Sequence, residues 1–113
     1  MMITGAMKFM MVDEIIERIA EQNGVTKVCC LATEEMSELT KALQKKTRIM
    51  LNDKTCQDTE KEVDENIVEE IADVEFCLQQ LKCLLGIQTE VFKTKVNKVK
   101  RTEKRMKEER HAD

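Results

Sequence analysis

No proline interrupts this chain of 113 residues, and only three glycines do. Proline and glycine are the residues that a helix interior tolerates least. Between Ile67 and Leu85 the apolar residues Ile67, Ile71, Val74, Leu78, Leu81 and Leu85 recur at spacings of four and three. That is the pattern of helices packed almost parallel in a bundle. Glu, Lys, Leu and Met are plentiful, so long helices follow. The predicted fold class is all-α, an antiparallel four-helix bundle.

Stop and start signals divide the chain into four predicted helices. The first runs from about Asp13 to Gln22, with Ile15, Ile16 and Ile19 on one face. Asn23-Gly24 stops it, because both residues tolerate left-handed backbone. Thr26 is the expected cap of a second helix reaching about Lys46. Periodicity then fails, and 47–58, with Asn52-Asp53, reads as a loop. Thr59 and Glu62 have capping-box spacing for a third helix that ends at Gly86. Its early acids Glu60, Glu62, Asp64 and Glu65 suit the positive end of the helix dipole. A fourth helix begins near Thr89 and continues past Arg105. Residues 1–11 and 106–113 are expected to be flexible.

The length is that of a single domain, 1–113, which can bury one modest core. Phe76 and Cys83 lie opposite the apolar seam of the third helix, so that helix is expected to bury more than one face. A homo-oligomer, dimer or tetramer, would supply the missing cover. Charged residues are 36% of the chain, yet net charge is only −3. A nucleic-acid binder usually carries a basic excess, so that class is disfavoured. The apolar N-terminus is short, is broken by Lys8 and lacks a cleavage site, which predicts no signal peptide. No stretch is long enough to span a membrane. The five cysteines are odd in number and form no CxxC pair, consistent with reduced thiols in the cytoplasm. With His111 the only histidine, zinc lacks ligands.

The chemistry-bearing residues are acids in apolar places. On a wheel of about 100° per residue, Val28, Leu31, Ala32, Leu39, Ala42 and Leu43 gather on one side of the second helix. Glu35 falls inside that sector and Glu38 at its margin, while Glu34 points outward. On the third helix Glu70 and Asp73 share a side stripe with Cys77 and Leu84. An ionised carboxylate on a core-facing position is costly unless something positive meets it. Converging carboxylates repel, and either protons or hard cations can relieve them. Oxygen-only donors point to Mg²⁺ or Mn²⁺, and Mg²⁺ usually keeps positions for water and substrate phosphates. The competing reading is a shifted register in which these acids face water.

Glu34-Glu35-Met36-Ser37-Glu38-Leu39, followed by Glu69-Glu70-Ile71-Ala72-Asp73-Val74, resembles the EExxE…ExxD signature of the MazG-like all-α nucleoside triphosphate pyrophosphohydrolases. The flanks Lys41-Ala42-Leu43 and Glu65-Asn66-Ile67 fit too, and the resemblance covers about 24–105. It implies Mg²⁺ held by Glu35, Glu38, Glu70 and Asp73, with Glu34, Glu35 and Glu38 as catalytic carboxylates. It also implies attack of water on the α-phosphorus of a nucleoside triphosphate, releasing monophosphate and pyrophosphate, as in nucleotide-pool house-cleaning. The spacer between the motifs is long for the family. The chain also lacks the tryptophan and tyrosine that some members place around the base.

The fourth helix is crowded with lysine and arginine, and family members often carry Lys, Asn and Arg there. Lys95, Asn97, Lys98 and Arg101 are the substrate-binding candidates, as a phosphate clamp. The plainer reading is a solvated basic face. Thr47-Arg48 offers a further cation in the loop. Cys77 and the methionines Met36, Met50 and Met106 read as packing. The alternative to an enzyme is a non-catalytic helical oligomerisation protein that binds no divalent metal. A di-iron bundle would need Glu-x-x-His pairs, which Glu35 and Glu70 do not form.

Overall fold

The computed structural model describes residues 4–111, without the side chains of Phe9 and Met10. Among the described residues all regular structure is helical: α1 (Gly5–Asn23), α2 (Val25–Met50), α3 (Glu60–Leu85) and α4 (Gln88–His111). None of the helices among the described residues is long and apolar enough to cross a membrane. All five cysteines are free thiols.

Three boundaries form as the sequence predicts. Gly24 has φ 80° and ψ 162°, and its amide donates to the Ala20 carbonyl at 2.9 Å, closing α1. Thr59 Oγ1 accepts from the Glu62 amide at 3.1 Å and caps α3. Gly86 is left-handed at φ 64°. Its amide donates to Cys83, and the Ile87 amide donates to the Lys82 carbonyl at 3.2 Å. That pair of bonds is a Schellman closure.

Other boundaries need correction. α1 starts at Gly5, not Asp13, because Thr4 Oγ1 accepts from the Met7 amide and caps an earlier turn. Of the N-terminal stretch expected to be flexible, residues 5–11 are helical, and 1–3 lie outside the described residues. Thr26 does not cap α2. It lies in the first turn, and Gly24 itself is the cap residue. α2 runs on to Met50, with the Thr47 hydroxyl bonded back to the Leu43 carbonyl at 3.0 Å. Asn52, left-handed at φ 58°, then turns the chain. Asp53 Oδ1 fixes the turn by accepting from the Thr55 amide and hydroxyl. These bonds hold the Asp53 carboxyl below its ordinary range, with Arg48 adding to the effect. α4 stays helical to His111, through the 106–111 segment expected to be flexible; 112–113 lie outside the described residues.

α2 and α3 form the principal pair, α1 lies mainly against α3, and α4 meets α3 alone. The buried side chains are small: Ala20 of α1, Val28, Ala32 and Ala42 of α2, and Val63, Val74 and Cys77 of α3. Lys46 near the end of α2 reaches Glu60 at 3.0 Å and Asp64 at 2.7 Å at the start of α3. Those two acids, Asp64 foremost, hold the Lys46 ammonium above its ordinary range. Gln80 is buried, and its Oε1 accepts from Asn23 Nδ2 at 2.9 Å, pinning the end of α1 to α3.

The seam of the third helix divides. Val74 is buried, and Ile67 and Leu81 are half-buried, but Ile71, Leu78 and Leu85 are 42%, 41% and 51% exposed. Periodicity identifies an apolar stripe but not what covers it. On α4 no residue is buried.

Candidate metal centre

Glu35 projects from the middle of α2 and is half-buried, as are Leu31 and Leu39 one turn to either side. Glu70 and Asp73 project from α3 one turn apart, bracketed by the buried Val63, Val74 and Cys77. Packing α2 on α3 along these stripes brings the three acids together. One carboxylate oxygen from each of Glu35, Glu70 and Asp73 lies within 4.8 Å of the other two. Among the described residues none of the three is in an ion pair. Glu70 Oε2 is buried and has no hydrogen-bond partner among them.

The electrostatics follow from that geometry. Partial burial raises the Glu35 carboxyl above its ordinary value, and the negative charges of Asp73 and Glu70 raise it further. Burial also pushes the Cys77 thiol up, with Glu35 and Asp73 adding to the effect. Cys77 is buried next to the acids, and the group of converging ligand atoms does not include it. Oxygen donors without nitrogen or thiolate suit a hard divalent cation.

The remaining candidates lie elsewhere. Glu34 is exposed, as the wheel predicts. Glu38 is not part of the three-acid group. Its Oε1 lies 3.3 Å from Lys41 Nζ, and its side chain is 54% exposed. A fourth carboxylate gains nothing by turning toward three others, and a cation one turn on offers an opposite charge. Lys95, Asn97, Lys98 and Arg101 are all exposed on α4, which does not pack against α2. Within one chain they are not brought to Glu35.

Of a second basic group, sequence reasoning picked out Arg48, as a loop cation, and missed Lys41 and Lys45. Lys41, Lys45 and Arg48 of α2, with Asn66 of α3, line an open cleft of about 580 Å³ that includes Glu38. Arg48 belongs to the last turn of α2 rather than to a loop. The signal was present, since 38, 41, 45 and 48 are spaced three, four and three and so share a helix face. No family model, curated protein or solved structure matches the chain.

Proposed function

We propose that this chain is a Mg²⁺-dependent nucleoside triphosphate pyrophosphohydrolase, of the MazG-like kind that its EExxE…ExxD motifs resemble, working as a homo-oligomeric antiparallel helical bundle. The observation that carries the reading is Glu70 Oε2, buried without a donor beside Glu35 and Asp73. A buried unpaired carboxylate oxygen is costly. One proton on Glu35 can serve Asp73 or Glu70 but not both at once, whereas a cation with several oxygen ligands satisfies all three groups.

The donor set fits Mg²⁺ or Mn²⁺. Glu35, Glu70 and Asp73 would hold the ion, and Glu38 would join by exchanging Lys41. Once bound, the ion supplies charge neutralisation for phosphates and acidifies water. Glu34, exposed and adjacent to Glu35, is the carboxylate we assign to accept a proton from the attacking water. That water adds to the α-phosphorus, and the bond from this phosphorus to the bridging oxygen breaks. Pyrophosphate leaves with the bridging oxygen and its electron pair. The exposed apolar faces of α3 and α4 also suit a purely structural assembly, a reading separated from this one by its lack of divalent-metal binding.

A panel of NTPs and dNTPs incubated with Mg²⁺ tests the proposal by chromatography. Monophosphate and pyrophosphate should appear in equal amounts. EDTA should abolish turnover, and Mg²⁺ or Mn²⁺ should restore it. Diphosphate with orthophosphate would mean cleavage at the γ-phosphate and would sink the mechanism.

A further inference from the structure

We infer that the cleft lined by Lys41, Lys45 and Arg48 of α2 and Asn66 of α3 is the subsite for the pyrophosphate half of the substrate. The inference rests on the pyrophosphohydrolase reading for its ligand, but on separate residues for its argument. Three cations and the amides of Gln44 and Asn66 line one hollow of about 580 Å³, and Glu38 sits in its lining. Glu38 is one turn from Glu35, about 5 Å along the helix axis. The cleft therefore begins where the acidic group ends. A phosphate chain reaching from one to the other passes from metal ligands to side-chain cations.

The cations are available. Lys41 pairs with Glu38 at 3.3 Å and Lys45 with Asp58 at 2.9 Å, but both lysine side chains are well exposed. Ion pairs of that kind contribute little and exchange readily. Arg48 is in no ion pair among the described residues. Its planar fork suits bidentate phosphate binding. Among the described residues no aromatic side chain lines the cleft, so these offer no stacking platform for a base. Its chemistry selects the polyanionic end of a nucleotide. The basic residues of α4, by contrast, do not pack near α2 in the chain.

Calorimetric titration with inorganic pyrophosphate, in Mg²⁺ and again in EDTA, tests the assignment. Lys45→Gln combined with Arg48→Gln should raise the pyrophosphate Kd about tenfold or more, as expected when charge-assisted hydrogen bonds are lost. Nucleoside monophosphate should bind nearly as it does to the wild type. The charge-preserving Lys45→Arg should retain most of the pyrophosphate affinity, and Arg48→Lys should retain more than Arg48→Gln while losing the bidentate fork, which separates lost charge from lost folding. Lys98→Gln with Arg101→Gln tests the competing phosphate clamp on α4 and should lower pyrophosphate affinity less than the cleft variant does. The inference is overturned if wild type binds no pyrophosphate in Mg²⁺, or if the cleft variant binds it as wild type does. It is equally overturned if the cleft variant loses monophosphate instead, or if only the α4 variant loses pyrophosphate. Cleft-dependent pyrophosphate binding without triphosphate cleavage would refute the enzymatic reading and leave the subsite standing.

Discussion

Ionising Glu35 works against folding. Its carboxyl is raised above the ordinary glutamate value of 4.5, first by burial and then by Asp73 and Glu70. The folded state therefore holds that proton more tightly than the unfolded state does. Stability of the metal-free protein should fall as pH rises from about 4.5 through the raised folded value, and the loss persists above it. Asp53 acts in the other direction. Its carboxyl is lowered below 3.8 by Thr55, so its contribution is present above 3.8 and lost on further acidification. Glu35→Gln keeps the shape and removes the charge. In EDTA at neutral pH the variant should melt no lower than wild type, and its melting temperature should vary less with pH above 4.5. It should gain less from Mg²⁺ than wild type and be inactive, since ligand loss removes what ligand binding adds to stability. Glu34→Gln, at an exposed position, should alter the metal-free melting temperature less. A marked fall in the EDTA melting temperature of Glu35→Gln would show instead that a buried cation holds the group. Glu35, Glu70 and Asp73 were legible in the sequence because each lies on or beside an apolar stripe, where an acid needs a reason. Glu38 was not, because its carboxylate is directed by Lys41 on its own helix, and a wheel weighs faces rather than local pairs.

Helix ends here are set by single residues with one conformational option. Gly24 closes α1 and opens α2 with φ 80° and ψ 162°, a region open essentially to glycine alone. A Cβ at Gly24 would meet nothing within 4 Å, so any penalty for a side chain is conformational rather than steric. Gly24→Ala should therefore destabilise by about 1–3 kcal/mol in chemical denaturation. An unchanged midpoint would mean that the α1–α2 junction relaxes without consequence. Asn23-Gly24, Thr59 and Gly86 were readable because their chemistry is local. The ends of α1 and α2 were missed for a different reason. Lys8 reads as an interruption in an apolar run but is an exposed position on a helix capped by Thr4. Thr47 reads as a loop residue, yet its hydroxyl bonds back within the helix. No breaker occurs before Asn52, and a helix with nothing to stop it continues until the backbone turns left-handed.

At the scale of the whole molecule, one chain is more open than a compact domain of its length. Its radius of gyration is 18.6 Å, against about 13 Å for a compact domain of this length. It exposes 9394 Å², whereas a compact monomer of 13.1 kDa exposes about 6,400 Å². The excess, about 3,000 Å², is on the scale of obligate interfaces. Where that area lies is patterned. Met36, Leu43 and Met50 on α2, Ile71, Leu78 and Leu85 on α3, and Phe92, Val99 and Met106 on α4 are all exposed, and within each set they stand seven residues apart. Sevenfold recurrence is the seam of helices that pack side by side. An exposed helix such as α4, with no buried residue, draws little stability from its own chain. The sequence displayed the α3 stripe as core; within one chain only half of that stripe is covered, because the pattern is the same whether the partner helix is in cis or in trans. Light scattering should thus report a particle of at least twice the 13.1 kDa chain mass at micromolar concentration, with a melting temperature that rises with protein concentration. Leu78→Glu places a charge at the centre of the α3 stripe and should dissociate the assembly, lowering the mass to that of one chain and reducing the helical circular dichroism of α4. Glu103→Lys, an exposed change on α4 beyond that stripe, should leave the mass unchanged. A wild-type protein that runs as a 13.1 kDa monomer, with full helicity and a concentration-independent melt, would refute the assembly.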